Sequence, residues 1–78
     1  MVTWDVEVTD TFSGQANYSW VYRYAISMPG GISYLALVRR IKSVTGYSGI
    51  RGHTYVSGDF VEIRFPARCV VIFAKVRY

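Results

Sequence analysis

The segment Ser33-Tyr34-Leu35-Ala36-Leu37-Val38-Arg39-Arg40-Ile41-Lys42-Ser43-Val44-Thr45-Gly46 carries the one convincing helical pattern in the chain. Tyr34, Leu37, Val38, Ile41 and Val44 fall at i, i+3, i+4, i+7 and i+10, which gathers them into one apolar stripe. Ser33 stands where an N-cap is needed, with a hydroxyl able to accept an early backbone N–H. Gly46 suits the left-handed residue that ends a helix, and the bases of the second half complement the negative end of the helix dipole. Arg39 and Ser43 lie opposite the stripe, with Arg40 and Lys42 on its flanks. A helix over 33–45 is therefore expected, with its stripe against a sheet.

On both sides of this segment the period changes to two. Thr3–Thr9 alternates Trp4, Val6 and Val8 with Asp5 and Glu7, the mark of a half-buried strand. Asp10 to Gln15 reads as a turn. Ala16 to Met28 reads as a second strand, with Tyr18, Trp20, Tyr22, Tyr24 and Ile26 on one face and Asn17, Ser19, Val21, Arg23 and Ala25 on the other. The short connection predicts an antiparallel hairpin in which Arg23 faces Asp5 or Glu7. Pro29-Gly30-Gly31 ends that strand. Beyond the helix, Ile50 to Val56 is a weaker strand and Ser57-Gly58-Asp59 a tight turn. Phe60 to Phe65 alternates Val61, Ile63 and Phe65 with Phe60, Glu62 and Arg64. Pro66-Ala67-Arg68 turns the chain again, and Cys69 to Tyr78 forms the last strand. Its opening is apolar on both faces, as a central strand requires, and Cys69 is expected there as a buried, inert thiol. The order β-β-α-β-β-β predicts one α+β domain over 1–78: a single helix packed on a mainly antiparallel sheet of four to five strands. The expected core is Trp4, Val6, Leu37, Val38, Ile41, Val61, Ile63, Val70 and Ile72.

Composition narrows the function chiefly by exclusion. With 78 residues the chain buries only about 60% of its extended surface, which leaves little room for a deep catalytic cleft and its scaffold. One cysteine and one histidine rule out a disulfide framework, a cysteine-rich zinc site and a histidine-pair metal site. No glycine cluster matches a nucleotide-binding loop, because the lysine and its Ser/Thr partner are missing. Cys69 with His53, or Asp5 with Glu7, would be the only pairs for covalent or acid–base chemistry, and neither has the setting that chemistry needs. No catalytic residue, metal or cofactor is expected. No apolar run approaches a membrane span, and the acidic, alternating first ten residues are unlike a signal peptide. A monomer in a reducing cytoplasm is the expectation.

The formal charge is +4, from nine bases against five acids, which argues against a mimic of DNA. Seven of the bases are arginine, the better residue for phosphate forks and interface hot spots. Thirteen aromatics, seven of them tyrosine, suit either an interface or the filling of a thin core. If Val61, Ile63, Val70, Ile72 and Val76 face the helix, the opposite face gathers Phe60, Arg64, Val71, Phe73, Lys75 and Arg77. Arg51, His53 and Tyr55 join from the neighbouring strand. Bases interleaved with aromatics on a sheet follow the stacking logic of single-strand binders. The same residues equally suit a second, smaller core under a curled sheet, with the bases at its rim. The candidate partner-binding residues are Arg64, Lys75 and Arg77, taken as neighbours on the last two strands, with Arg51 and Tyr55 beside them. Arg39 and Arg40 on the helix form a rival patch.

The stretch Asp10-Thr11-Phe12-Ser13-Gly14-Gln15-Ala16-Asn17-Tyr18-Ser19-Trp20 resembles a recurrent D-T-F-x-G-x-A-N-Y-S-W segment of small phage and prophage proteins, as does Gly58-Asp59-Phe60-Val61-Glu62-Ile63-Arg64. Together with the helix ending at Val44-Thr45-Gly46, the likeness covers most of the chain. Among such proteins it is most similar to small anti-CRISPR proteins directed against type I systems, type I-C above all. The resemblance implies a non-enzymatic, phage-encoded protein acting in the bacterial host cell. It would bind Cas protein of a type I surveillance complex and prevent capture of target DNA. The family has no motif-defined site to carry over, so the candidate residues rest on the sheet-face argument alone. The alternative is a small basic phage regulator that binds nucleic acid directly, if weakly.

Overall fold

The computed structural model describes all residues, Met1–Tyr78. Elements follow the expected order: β1 (Val2–Phe12), β2 (Gln15–Met28), α1 (Tyr34–Thr45), β3 (His53–Ser57), β4 (Phe60–Phe65) and β5 (Val70–Val76), with a 3-10 turn at Pro66–Arg68. All neighbours in the sheet are antiparallel, in the order β2-β1-β5-β4-β3. The last strand thus lies at the centre. Its residues Val70, Val71, Ile72 and Ala74 are all buried, which explains an apolar run on both faces.

The helix forms as its sequence dictates. Ser33 is extended, and its Oγ accepts from the Ala36 N–H at 3.2 Å; Gly46 ends the helix at φ 84. Leu37 and Ile41 are fully buried, but Val38, expected in the core, is only half-buried at the edge of the stripe. Tyr34, at the head of the stripe, stays half in solvent and donates its hydroxyl to the Gly58 carbonyl at 3.1 Å. Beneath the helix lie Trp4, Val6, Val8, Ile26, Val61, Ile63, Phe65, Val70, Ile72 and Ala74. At the other end of the helix Tyr47 stacks on Phe65 with ring centres 5.0 Å apart, and Lys42 sits over the same ring while donating to the Ile50 carbonyl. The loop before β3 presses close: a Cβ on Gly52 would meet the Arg64 carbonyl at 2.8 Å. Ile50 closes a turn, its N–H bonded to the Tyr47 carbonyl at 3.2 Å, so β3 runs from His53 to Ser57 rather than from Ile50.

Cys69 departs from expectation. It is exposed, at φ 53, and its N–H bonds to the Pro66 carbonyl, so it closes the turn instead of opening the strand. The apolar run after it is continuous with the strand, but the left-handed turn geometry places Cys69 outside it.

The face away from the helix is partly covered by the protein itself. Thr9 and Val71 lie on that face and are both inaccessible to solvent. Arg64, two strands away from β1, donates through Nη1 to the Gly14 carbonyl. The tip of the β1–β2 hairpin therefore bends over this outer face. Its turn residues Ser13 and Gly14 are both left-handed, as a two-residue hairpin loop of this hand needs.

Ile41 is wholly buried at the middle of α1, so Ile41→Ala removes packed atoms that nothing else replaces. The expected loss is about 2–5 kcal/mol. Thermal unfolding checks it: the midpoint falls by at least about 8 °C for a domain of this size.

Candidate functional site

The strand registers set the outer face out in rows. Ser57, Phe60, Lys75, Asp5 and Ala25 form one cross-strand row; Tyr55, Glu62, Phe73, Glu7 and Arg23 the next; His53, Arg64, Val71, Thr9 and Val21 the third. The middle of the third row, at Arg64, Val71 and Thr9, lies under the bent hairpin tip. The first two stay open and line a groove of about 540 Å³ whose walls include Asp5, Glu7, Arg23, Phe60, Phe73 and Lys75, with Tyr18 closing it from the hairpin. The Phe60 and Phe73 rings are 6.0 Å apart and tilted, giving the groove an aromatic floor.

Most of its charges are already matched. Arg23 Nε lies 3.3 Å from Glu7 Oε2, the pairing expected of the hairpin. Arg77 Nε reaches both Asp5 oxygens at 3.1 and 3.2 Å, which holds the Asp5 carboxyl below its usual range and raises the guanidinium further. Lys75 makes no ion pair. The groove therefore offers one unmatched positive charge, Lys75, cross-strand from Phe60 and two residues from Phe73.

Tyr18 reaches this place through an irregularity in the hairpin. Thr9 pairs with Val21 and Thr11 with Ala16, so Asp10 alone on β1 faces Asn17–Trp20 on β2. The Asp10 carboxylate holds the extra residues: it accepts from Asn17 Nδ2 at 2.8 Å, from the Ser19 N–H at 3.0 Å and from the Ser19 hydroxyl. Thr9 Oγ1 donates to the Trp20 carbonyl at 2.7 Å. Tyr18 sits inside this clamp at φ 58, a conformation unfavourable for a bulky side chain. These bonds, first from Asn17 and then from Ser19, hold the Asp10 carboxyl well below its ordinary 3.8, at about 2.

The candidate residues fall into three groups. Lys75 is in the groove and Arg77 beside it, bound to Asp5; Tyr55 stands exposed in the Phe73 row on the β3 edge. Arg64 is on the same face but faces Val71, two rows from Lys75, roughly 13 Å away. It is engaged by Glu62 at 2.7 Å and by Gly14, so it is not the neighbour of Lys75 that simple alternation suggested. Arg51 is exposed in the loop before β3, and Arg39 and Arg40 are exposed on α1. Tyr18 lies outside the expected site because strict alternation puts it on the face of Trp20. The signal for it was the pair Asn17 and Ser19, short polar residues within reach of Asp10. The aromatic face is mixed in burial: Val71 is core, while Phe60 and Phe73 are only half-buried. His53 is exposed in the third row, and no group of three or more His, Cys, Asp or Glu is assembled anywhere.

The clamp has a measurable signature. Replacing Asn17 and Ser19 together by alanine should return the Asp10 carboxyl from about 2 toward 3.8, read by carbon-detected NMR titration. Because its native value is depressed, its contribution to stability is complete above pH 4 and disappears as pH falls through 2. Asp10→Asn should therefore melt below wild type at pH 6 and alongside it near pH 2.

No family model matches this chain, and no curated protein or solved structure is significantly similar to it.

Proposed function

We propose that this chain is a non-catalytic binding protein that acts as a phage anti-CRISPR. In this reading it works as a monomer in the bacterial host, occupying Cas protein of a type I surveillance complex, type I-C in particular, so that target DNA is not captured. The observation that supports binding is the open aromatic groove, whose wall and floor come from the two segments that carry the resemblance. Asp10–Trp20 builds the clamp and supplies Tyr18; Gly58–Arg64 supplies Phe60. Rigid aromatics around one cation are the composition of an interface hot spot.

A second reading, a regulator that binds nucleic acid, draws on the bases outside the groove. Arg39, Arg40, Arg51 and Arg68 are exposed and none is paired with an acid.

Two double variants separate the faces. Tyr18→Ala with Lys75→Glu should weaken inhibition of type I-C target-DNA binding by at least about tenfold, since each removes a central contact. Arg39→Glu with Arg40→Glu should leave it unchanged. The opposite pattern in folded proteins overturns the choice of face. A wild-type protein that inhibits no type I system but shifts DNA, with affinity falling steeply as salt rises, establishes the regulator instead.

A further inference from the structure

We infer that the groove receives one aromatic side chain of the partner protein together with an adjacent carboxylate, the ring packing among Tyr18, Phe60 and Phe73 and the carboxylate meeting Lys75. The inference rests on the protein-binding reading above and names what the partner must present.

The geometry supplies the ring site. A groove of about 540 Å³ lies within the size range that encloses small ligands or an inserted side chain. Phe60 and Phe73 are tilted 31° to each other at 6.0 Å, leaving ring faces and edges available on the open side. Tyr18 forms the third wall. Its left-handed backbone is held by the Asp10 bonds and by Thr9, yet its side chain remains 54% exposed. A strained, tightly tethered residue that leaves its ring half in solvent is arranged for something outside the chain. An aromatic guest among aromatic walls prefers the tilted contacts this site offers.

The charges select the guest's neighbour. Asp5 is taken by Arg77 and Glu7 by Arg23, so the groove's remaining charge is Lys75, directly across from Phe60 and two residues from Phe73. One cation calls for one anion. A phosphodiester strand brings one charge per nucleotide, and along this groove it would run against Asp5 and Glu7. The bases that could serve further phosphates, Arg39, Arg40 and Arg51, lie on the helix and in its following loop. The mixed rim therefore favours a peptide over a nucleic acid.

The test uses the isolated 78-residue protein and short capped peptides, monitored by amide NMR shifts. The peptide acetyl-Asp-Phe-Gly-amide should perturb residues around Tyr18, Phe60, Phe73 and Lys75. Acetyl-Lys-Phe-Gly-amide should bind about three- to fivefold more weakly, the scale of one exposed ion pair. Acetyl-Asp-Ala-Gly-amide should not bind. Lys75→Glu should reverse the preference between the two charged peptides, an outcome that loss of folding cannot produce. Equal affinity for the two charged peptides, or no reversal in Lys75→Glu, overturns the carboxylate assignment. Tighter binding of thymidine 5′-monophosphate than of the Asp-Phe peptide at the same residues overturns the protein partner in favour of nucleic acid. Selective peptide binding by a protein that inhibits no surveillance complex leaves this inference standing and removes the anti-CRISPR reading; inhibition without peptide binding does the reverse.

Discussion

The central strand β5 is apolar on both faces, and much of the molecule follows from the need to cover it twice. Ile72 and Ala74 point to the helix side, where α1 and the large residues of β1 and β4 bury them. Val71 points the other way, and no second helix exists to cover it. The chain meets this demand with its own hairpin, whose tip bends across the outer face and is tied to β4 through Arg64 and Gly14. Because the tip covers only the third row, the first two rows stay open, and the groove is what remains of the face after Val71 is sealed.

The bend in turn depends on Asp10. Four residues of β2 stand against one of β1, and backbone donors and acceptors in such a bulge need partners off the regular ladder. A carboxylate is well suited because it accepts several bonds at once, and these come from the Asn17 side chain and from the backbone and side chain of Ser19, the residues immediately before and after Tyr18. The low proton affinity of Asp10 and the position of Tyr18 are thus two consequences of one set of bonds. The same carboxylate that shapes the hairpin shapes the groove.

How far the sequence foretells the molecule depends on whether periodicity governs the residue. The helix with its Ser33 cap, the five strands and the central place of β5 are legible, since each shows in a period of two or 3.6. So is the division of Val61 and Ile63 from Phe60 and Arg64. The clamp is not, because alternation assumes an unbroken ladder and the bulge breaks it between Thr9 and Thr11. The residues Asn17–Trp20 leave the regular pairing there, Tyr18 among them. Pairing of charges is equally hidden: Arg64 and Arg77 read as free bases until Glu62 and Asp5 are seen beside them. Cys69 illustrates a third kind of gap. One left-handed residue decides between strand and turn, and nothing in an apolar run marks it.

The bulge also bears on the sheet's long free edge. β2 spans 14 residues and carries a single charge, Arg23, with no proline, which is the profile of a strand inviting uncontrolled pairing. A regular edge of that length would template another chain along its whole extent. The excursion at Asn17–Trp20 interrupts the row of edge donors and acceptors, so that no uniform strand runs from Gln15 to Met28. Trp20 and Tyr22, whose rings lie 5.4 Å apart on the helix side, then contact each other rather than forming part of a flat apolar band. In the protein-binding reading, one local departure from the ladder both restrains non-specific edge pairing and raises Tyr18 over the groove, which links the specificity of the surface to the device that keeps the edge in check.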